Sequence, residues 1–189
     1  MISNKAALLI IDVQKAIDHP SWGRRNNPNA EKNISRLISE WRQNGSPIIH
    51  IRHSSRGPES TYRPNQVGFE FKPEAQPKSG ETILTKNTNN AFISTELEEI
   101  LHRSIISTLI ICGVITNNSV EATARMAGDL GYETYVVSDA TATFDKVDFF
   151  GSHRTAEEVH AMSLANLQGE YAIVASTEEV LSRLSEKNS

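Results

Sequence analysis

Cysteine is nearly missing from this chain. The one cysteine among 189 residues, Cys112, cannot form an intrachain disulfide, so burial has to hold the fold and a reducing cytoplasm is the expected setting. Long apolar runs are missing too. The run at 6–11 has six apolar residues and ends at Asp12, whereas a membrane span needs about 20 and a signal peptide needs a longer apolar core with a cleavage site. An excess of positive charge is also lacking. Nineteen Lys and Arg stand against 23 Asp and Glu, a formal charge of -4, with the basic residues scattered. That leaves no electrostatic footprint for nucleic acid or for a membrane surface. Repeats and low-complexity stretches are absent, and aromatics make up only 6% of the chain.

What is present is an alternation. Short apolar runs at 6–11, 47–51, 82–84, 108–112, 134–137 and 171–174 are separated by polar segments with helical spacing. This pattern predicts a parallel sheet covered on both faces. The expected fold is a three-layer, doubly wound α/β sandwich with a six-stranded, mainly parallel central sheet, and 1–189 is read as one domain. Between the first two runs, Ile34, Leu37, Ile38 and Trp41 recur at helical spacing and Gly45 follows as a stop. Helices are also expected from an N-cap at Ser94, over 117–130 up to Gly131, over 155–167 and over 177–184. Residues 57–80 hold four of the seven prolines and have no period, so they read as a long surface excursion of the kind that shapes a pocket.

In an open parallel sheet, ligands bind beyond the carboxyl ends of the strands. Three residues stand at such places. LLIID ends in Asp12, TILTK ends in Lys86, and LIICGVITNNS turns from strand to helix with Ser119 in the first helical turn. Taken singly, Asp12 can be a cap and Lys86 a solvent-reaching side chain. Together, an acid, a cation and a helix N-terminus make a nucleophile site.

The segments LLIIDVQ, TKNTNNAF and CGVITNNSVEATARMAGDLGYETYVVSDAT resemble the isochorismatase-like hydrolases, the cysteine hydrolase group that includes nicotinamidases and N-carbamoyl amidases. The resemblance covers nearly the whole chain. It implies Asp12 as general acid and base, Lys86 as the orienting cation and position 119 as the nucleophile. It also implies a cis peptide between Val114 and Ile115, with an oxyanion hole formed by the N–H groups of Ile115 and residue 119. Asn118, Phe92, Asn87 and Trp22 are candidate substrate contacts, with Asn90, Phe149 and Phe150 further candidates. The implied reaction is hydrolysis of a non-peptide C–N bond (amide, carbamoyl or ureido) in a small molecule, without a cofactor. A homodimer or homotetramer is implied on the same ground.

Position 119 departs from the cysteine-dependent members. A thiol beside an ammonium and a helix N-terminus can be largely thiolate at neutral pH. A helix terminus contributes only about 0.3 to 1 kcal/mol, far too little to ionise an alcohol. Ser119 therefore needs a base in hydrogen-bond reach, and Asp12 is the candidate. Three readings stay open. Serine can be an engineered, inactivating replacement for cysteine, or it can be an Asp12-assisted nucleophile in its own right. The chain can also act like the true isochorismatases, which lack the cysteine and cleave a vinyl ether by acid chemistry. A small-molecule-binding pseudoenzyme is the non-catalytic alternative.

Cys112 closes the apolar run TLIIC and reads as core. Nicotinamidase-type relatives bind a metal after the second strand, where this chain has His50 and His53 without a D-x-H pattern. Residues three apart on a strand face opposite sides, so no catalytic metal is expected.

Overall fold

A computed structural model describes residue 2 and residues 5–185. Strand β1 (Ala7–Ile11) is followed by helix α1 (Ala30–Gln43), β2 (Ile48–His53), β3 (Thr82–Lys86), α2 (Leu97–Arg103), β4 (Thr108–Val114), α3 (Glu121–Asp129) and β5 (Glu133–Ala142). A short hairpin of β6 (Lys146–Val147) and β7 (His153–Arg154) precedes α4 (Ala156–Leu167), β8 (Ile173–Ala175) and α5 (Thr177–Ser185). The main sheet has six strands in the order β3-β2-β1-β4-β5-β8, and every pairing in it is parallel. This is the three-layer, doubly wound α/β fold that the alternation of apolar runs predicts. Among the described residues, no helix is long and apolar enough to cross a membrane.

All five β1 residues are buried because the sheet is covered twice. Ala7, Leu9 and Ile11 face a core built with Leu97 and Leu101 of α2, Ala124 and Ala127 of α3, and Leu167 of α4. Leu8 and Ile10 face the other core, with Ile34, Leu37, Ile38 and Trp41 of α1 and Val180 of α5. The period of two along the strand thus delivers side chains alternately to two helical layers. Trp41 also donates its indole N–H to the Ala6 carbonyl at 2.9 Å, so the largest buried side chain of α1 has its polar atom satisfied.

From β1 the chain winds outward to β2 and β3, then returns to β4 on the opposite side of β1. The reversal opens a crevice between the carboxyl ends of β1 and β4, where a doubly wound sheet binds ligands. Gly113, paired with Ile11, is required there. Its φ is +119°, and a Cβ would lie 2.1 Å from the Ile11 carbonyl oxygen, so only glycine lets the two strands approach.

Several boundaries differ from the sequence reading. Helix α2 starts at Leu97 instead of being capped by Ser94. Ser94 has a φ of +57°, and it is Thr95 Oγ1 that accepts from the Leu97 N–H at 3.3 Å. The helix expected over 117–130 is split into a π-type turn, Thr116–Val120, and then α3. Strand β5 runs to Ala142 because its pairing to β4 skips register, from Ile111 opposite Val136 to Gly113 opposite Thr141. The apolar run at 134–137 marks only its first half.

Candidate active site

Asp12 directly follows β1, with a φ of +53° and its N–H donating to the Ile51 carbonyl at 2.9 Å. Lys86 is the last residue of β3, in register with His53 of β2. Two strand positions separate β3 from β1, and the four-carbon lysine stem spans them. Lys86 Nζ donates to Asp12 Oδ2 at 2.6 Å, to the Thr88 carbonyl at 3.1 Å and to Ser119 Oγ at 3.3 Å. These three acceptors match the three N–H bonds of an ammonium. Ser119 lies in the π-type turn that opens α3, the kind of helical irregularity that recurs at functional sites.

Burial is the largest influence on Asp12 and pushes its pKa up. The Lys86 ammonium, the Ser119 hydroxyl and, more weakly, His53 oppose it. Oδ1 of Asp12 is buried and makes no hydrogen bond of its own among the described residues. Because Ser119 Oγ accepts from Lys86, the Ser119 O–H is available to donate, and Oδ1 is the unmatched acceptor in the cluster. A buried carboxylate with a spare lone pair beside a hydroxyl has the chemistry of a general base.

A pocket of about 350 Å³ opens onto this cluster, lined by Asp12 and Ser119, by Val114, Ile115 and Asn118, and by Trp22, His53, Asn89 and the segment Glu59 to Tyr62. The Val114–Ile115 peptide bond is cis. Trp22 is held by a hydrogen bond from Nε1 to the Ala16 carbonyl at 2.9 Å. It stacks on Phe144 with ring centroids 5.2 Å apart and meets Tyr62 edge-on at 6.2 Å.

The other candidate contacts lie elsewhere. Phe92 packs in the core and stacks on Tyr132 at 6.1 Å. Asn87 is exposed, and it is Asn89 that lines the pocket. Asn90 is spent on backbone, accepting from the Phe92 N–H and donating to the Ala122 carbonyl. Phe149 and Phe150 form the exposed tip of the β6–β7 hairpin, 96% and 89% accessible. Cys112 is fully buried, and burial raises its thiol pKa strongly.

Sequence reasoning missed His53. It and His50 do separate, as their spacing requires. His50 is buried against Glu81, with Nε2 and Oε2 2.9 Å apart. His53 faces the site, with Nδ1 3.4 Å from Lys86 Nζ and its ring edge-on to Tyr62. Burial, then the Lys86 charge, lower its pKa against smaller opposing effects of Asp12 and the Thr88 backbone. The pairing of β2 with β3 would have revealed it, since two strand ends in register present neighbouring side chains. Tyr62 carried no such signal, because it arrives from the irregular 57–80 excursion.

Known proteins match this chain along nearly its whole length. An isochorismatase domain matches residues 6–179. A crystal structure of an isochorismatase-family protein from Chromobacterium violaceum superposes with a TM-score of 0.96 at 52% identity, covering 98% of this chain and 96% of that one. The isochorismatase-family protein YrdC of Bacillus subtilis is 42% identical over 180 residues, 95% of this chain and 96% of its own length. Among more distant relatives, a streptothricin hydrolase of Streptomyces noursei is 30% identical across 74% of this chain and 50% of its own. Nicotinamidase 3 of Arabidopsis thaliana is 28% identical across 94% of this chain and 88% of its own. Fold and similarity along nearly the whole chain agree, and the chain belongs to the isochorismatase family of hydrolases.

Proposed function

We propose that this protein hydrolyses a non-peptide C–N bond (amide, carbamoyl or ureido) of a small molecule, with Ser119 as nucleophile and Asp12 as its base. One observation carries the reading: Lys86 bridges Asp12 and Ser119 at the floor of the pocket, leaving Asp12 Oδ1 unpartnered. Among the relatives, one is named for amide hydrolysis, a nicotinamidase, and another is a streptothricin hydrolase.

In the proposed reaction, Ser119 Oγ attacks the carbonyl carbon as its proton passes to Asp12. The N–H groups of Ile115 and Ser119 hold the oxyanion. Collapse breaks the C–N bond, and Asp12 returns the proton to the leaving nitrogen. Asp12 then takes a proton from water, whose oxygen displaces the acyl group from Ser119, and the serine recovers its hydrogen. Lys86 holds the carboxylate in place and offsets the charge it loses and regains.

The raised pKa of Asp12 favours one second reading, in which a protonated Asp12 donates to a vinyl ether and no covalent intermediate forms. Ser119→Ala separates the two. Under the first reading it abolishes amide hydrolysis, and quenched turnover of the unsubstituted protein leaves an acyl group on Ser119 detectable by mass spectrometry. Hydrolysis of isochorismate that persists in Ser119→Ala, with no C–N substrate turned over by either form, would establish the second.

A further inference from the structure

Of the two carboxyl groups that line the pocket, Asp12 is offset by Lys86 at 2.6 Å and Glu59 is not offset. Among the described residues lining it, Asp12 and Glu59 are acidic, and none is lysine or arginine. The nearest ammonium, Lys86, is fully buried with its N–H bonds directed at Asp12, Thr88 and Ser119, so it has no donor left for a ligand. His53, with its pKa lowered, presents a neutral ring at pH 7. A carboxylate entering here gives up hydration, meets the uncompensated Glu59 charge and finds no cation with a free donor, which disfavours its binding.

Glu59 stands where the pocket continues outward. Together with Ser21, Ser60 and Thr61 it lines both the inner pocket and a neighbouring groove that runs past Asp18, His19, Pro58 and Arg63. The other acid of that groove is matched, since Asp18 pairs with Lys72 at 2.6 Å. Of its bases, Lys15 pairs with Glu70 at 2.5 Å, whereas Arg63, bonded to the neutral Pro58 carbonyl at 2.8 Å, keeps its charge in the outer groove and does not line the inner pocket. Glu59 has no ion-pair partner among the described residues. The rings of Trp22 and Tyr62 line the pocket beside it, and aromatic faces attract cations.

We infer that the substrate is a cationic amide, its positive group lying beyond the scissile carbonyl toward Glu59, and that Glu59 is the residue that selects for that charge. The inference rests on the C–N hydrolase reading for the bond cleaved. It also sets dicarboxylates such as isochorismate among the disfavoured ligands.

The test uses three matched small amides that differ only in a distal ammonium, hydroxyl or carboxylate group. Dissociation constants are measured with the Ser119→Ala form, and kcat/KM with the unsubstituted and Ser119→Cys forms. The ammonium compound is expected to bind about tenfold or more tightly than the carboxylate. Glu59→Gln should close most of that gap, and Glu59→Lys should reverse it. Equal or tighter binding of the carboxylate overturns the inference, as does a gap that Glu59→Gln leaves intact or a failure of all three to bind. The two claims fail separately. The charge order in binding without turnover by either form sinks the C–N reading alone, and turnover without a charge order sinks the selection by Glu59 alone.

Discussion

Lys86 Nζ lies 2.6 Å from Asp12 Oδ2, with the lysine side chain fully buried and the aspartate side chain 4% exposed. Both charges are held largely away from bulk water, so removing one leaves the other poorly compensated. Breaking a buried pair from one side costs about 3 to 5 kcal/mol, because it strands an unpaired charge. Lys86→Met should therefore destabilise the protein by that amount in urea unfolding, and Lys86→Met combined with Asp12→Asn should recover most of the loss. A cost below about 1 kcal/mol for the single variant would mean that the pair is not held as described.

Gly113 offers a steric test. A methyl group there meets the Ile11 carbonyl oxygen at 2.1 Å on a backbone with φ of +119°. Gly113→Ala should cost more than about 3 kcal/mol, since it combines a hard backbone clash with an unfavourable dihedral. Gly131 also has a positive φ, +86°, but nothing lies within 4 Å of a Cβ there. Gly131→Ala should therefore cost only about 1 kcal/mol. Thermal unfolding of the two variants side by side checks the difference.

Glu31 makes stability depend on pH away from the active site. Burial pushes its pKa up, but Arg25 donates to both carboxylate oxygens at 2.7 and 2.6 Å and Lys72 adds a third bond at 2.9 Å, and these hold it at about 2. With the folded value below the ordinary 4.5, its stabilisation is full above about pH 5 and fades as pH falls toward 2. Glu31→Gln should cost about 1 to 3 kcal/mol at pH 7 and little by pH 2, after allowing for solvent screening. Unfolding of both forms across that range would show the two curves converging.

The sequence revealed the layers better than the walls of the site. Short apolar runs with helical segments between them could hardly pack as anything but a doubly wound sheet. Asp12 and Lys86 were visible because each ends such a run, and strand ends are where this fold places its chemistry. Phe92 was misplaced because its assignment came from resemblance alone, and the stacking partner that draws it into the core, Tyr132, is 40 residues away in sequence. Tyr62 and Glu59 were hidden for a different reason. An irregular excursion has no period to say which side chains turn inward, and only its contacts with Trp22 and the strand ends decide that. His53 fell between these cases, legible only once the register of β2 against β3 was known.

The most direct measurement for the site as a whole is kcat/KM on the best C–N substrate for three forms of the protein: unsubstituted, Ser119→Ala and Ser119→Cys. The account predicts that alanine lowers the rate by about 1,000-fold or more, because the attacking atom is gone. Cysteine should retain or raise activity, because the same Lys86 and helix terminus favour a thiolate. An alanine form as active as the unsubstituted protein would contradict the assignment of Ser119 as the nucleophile.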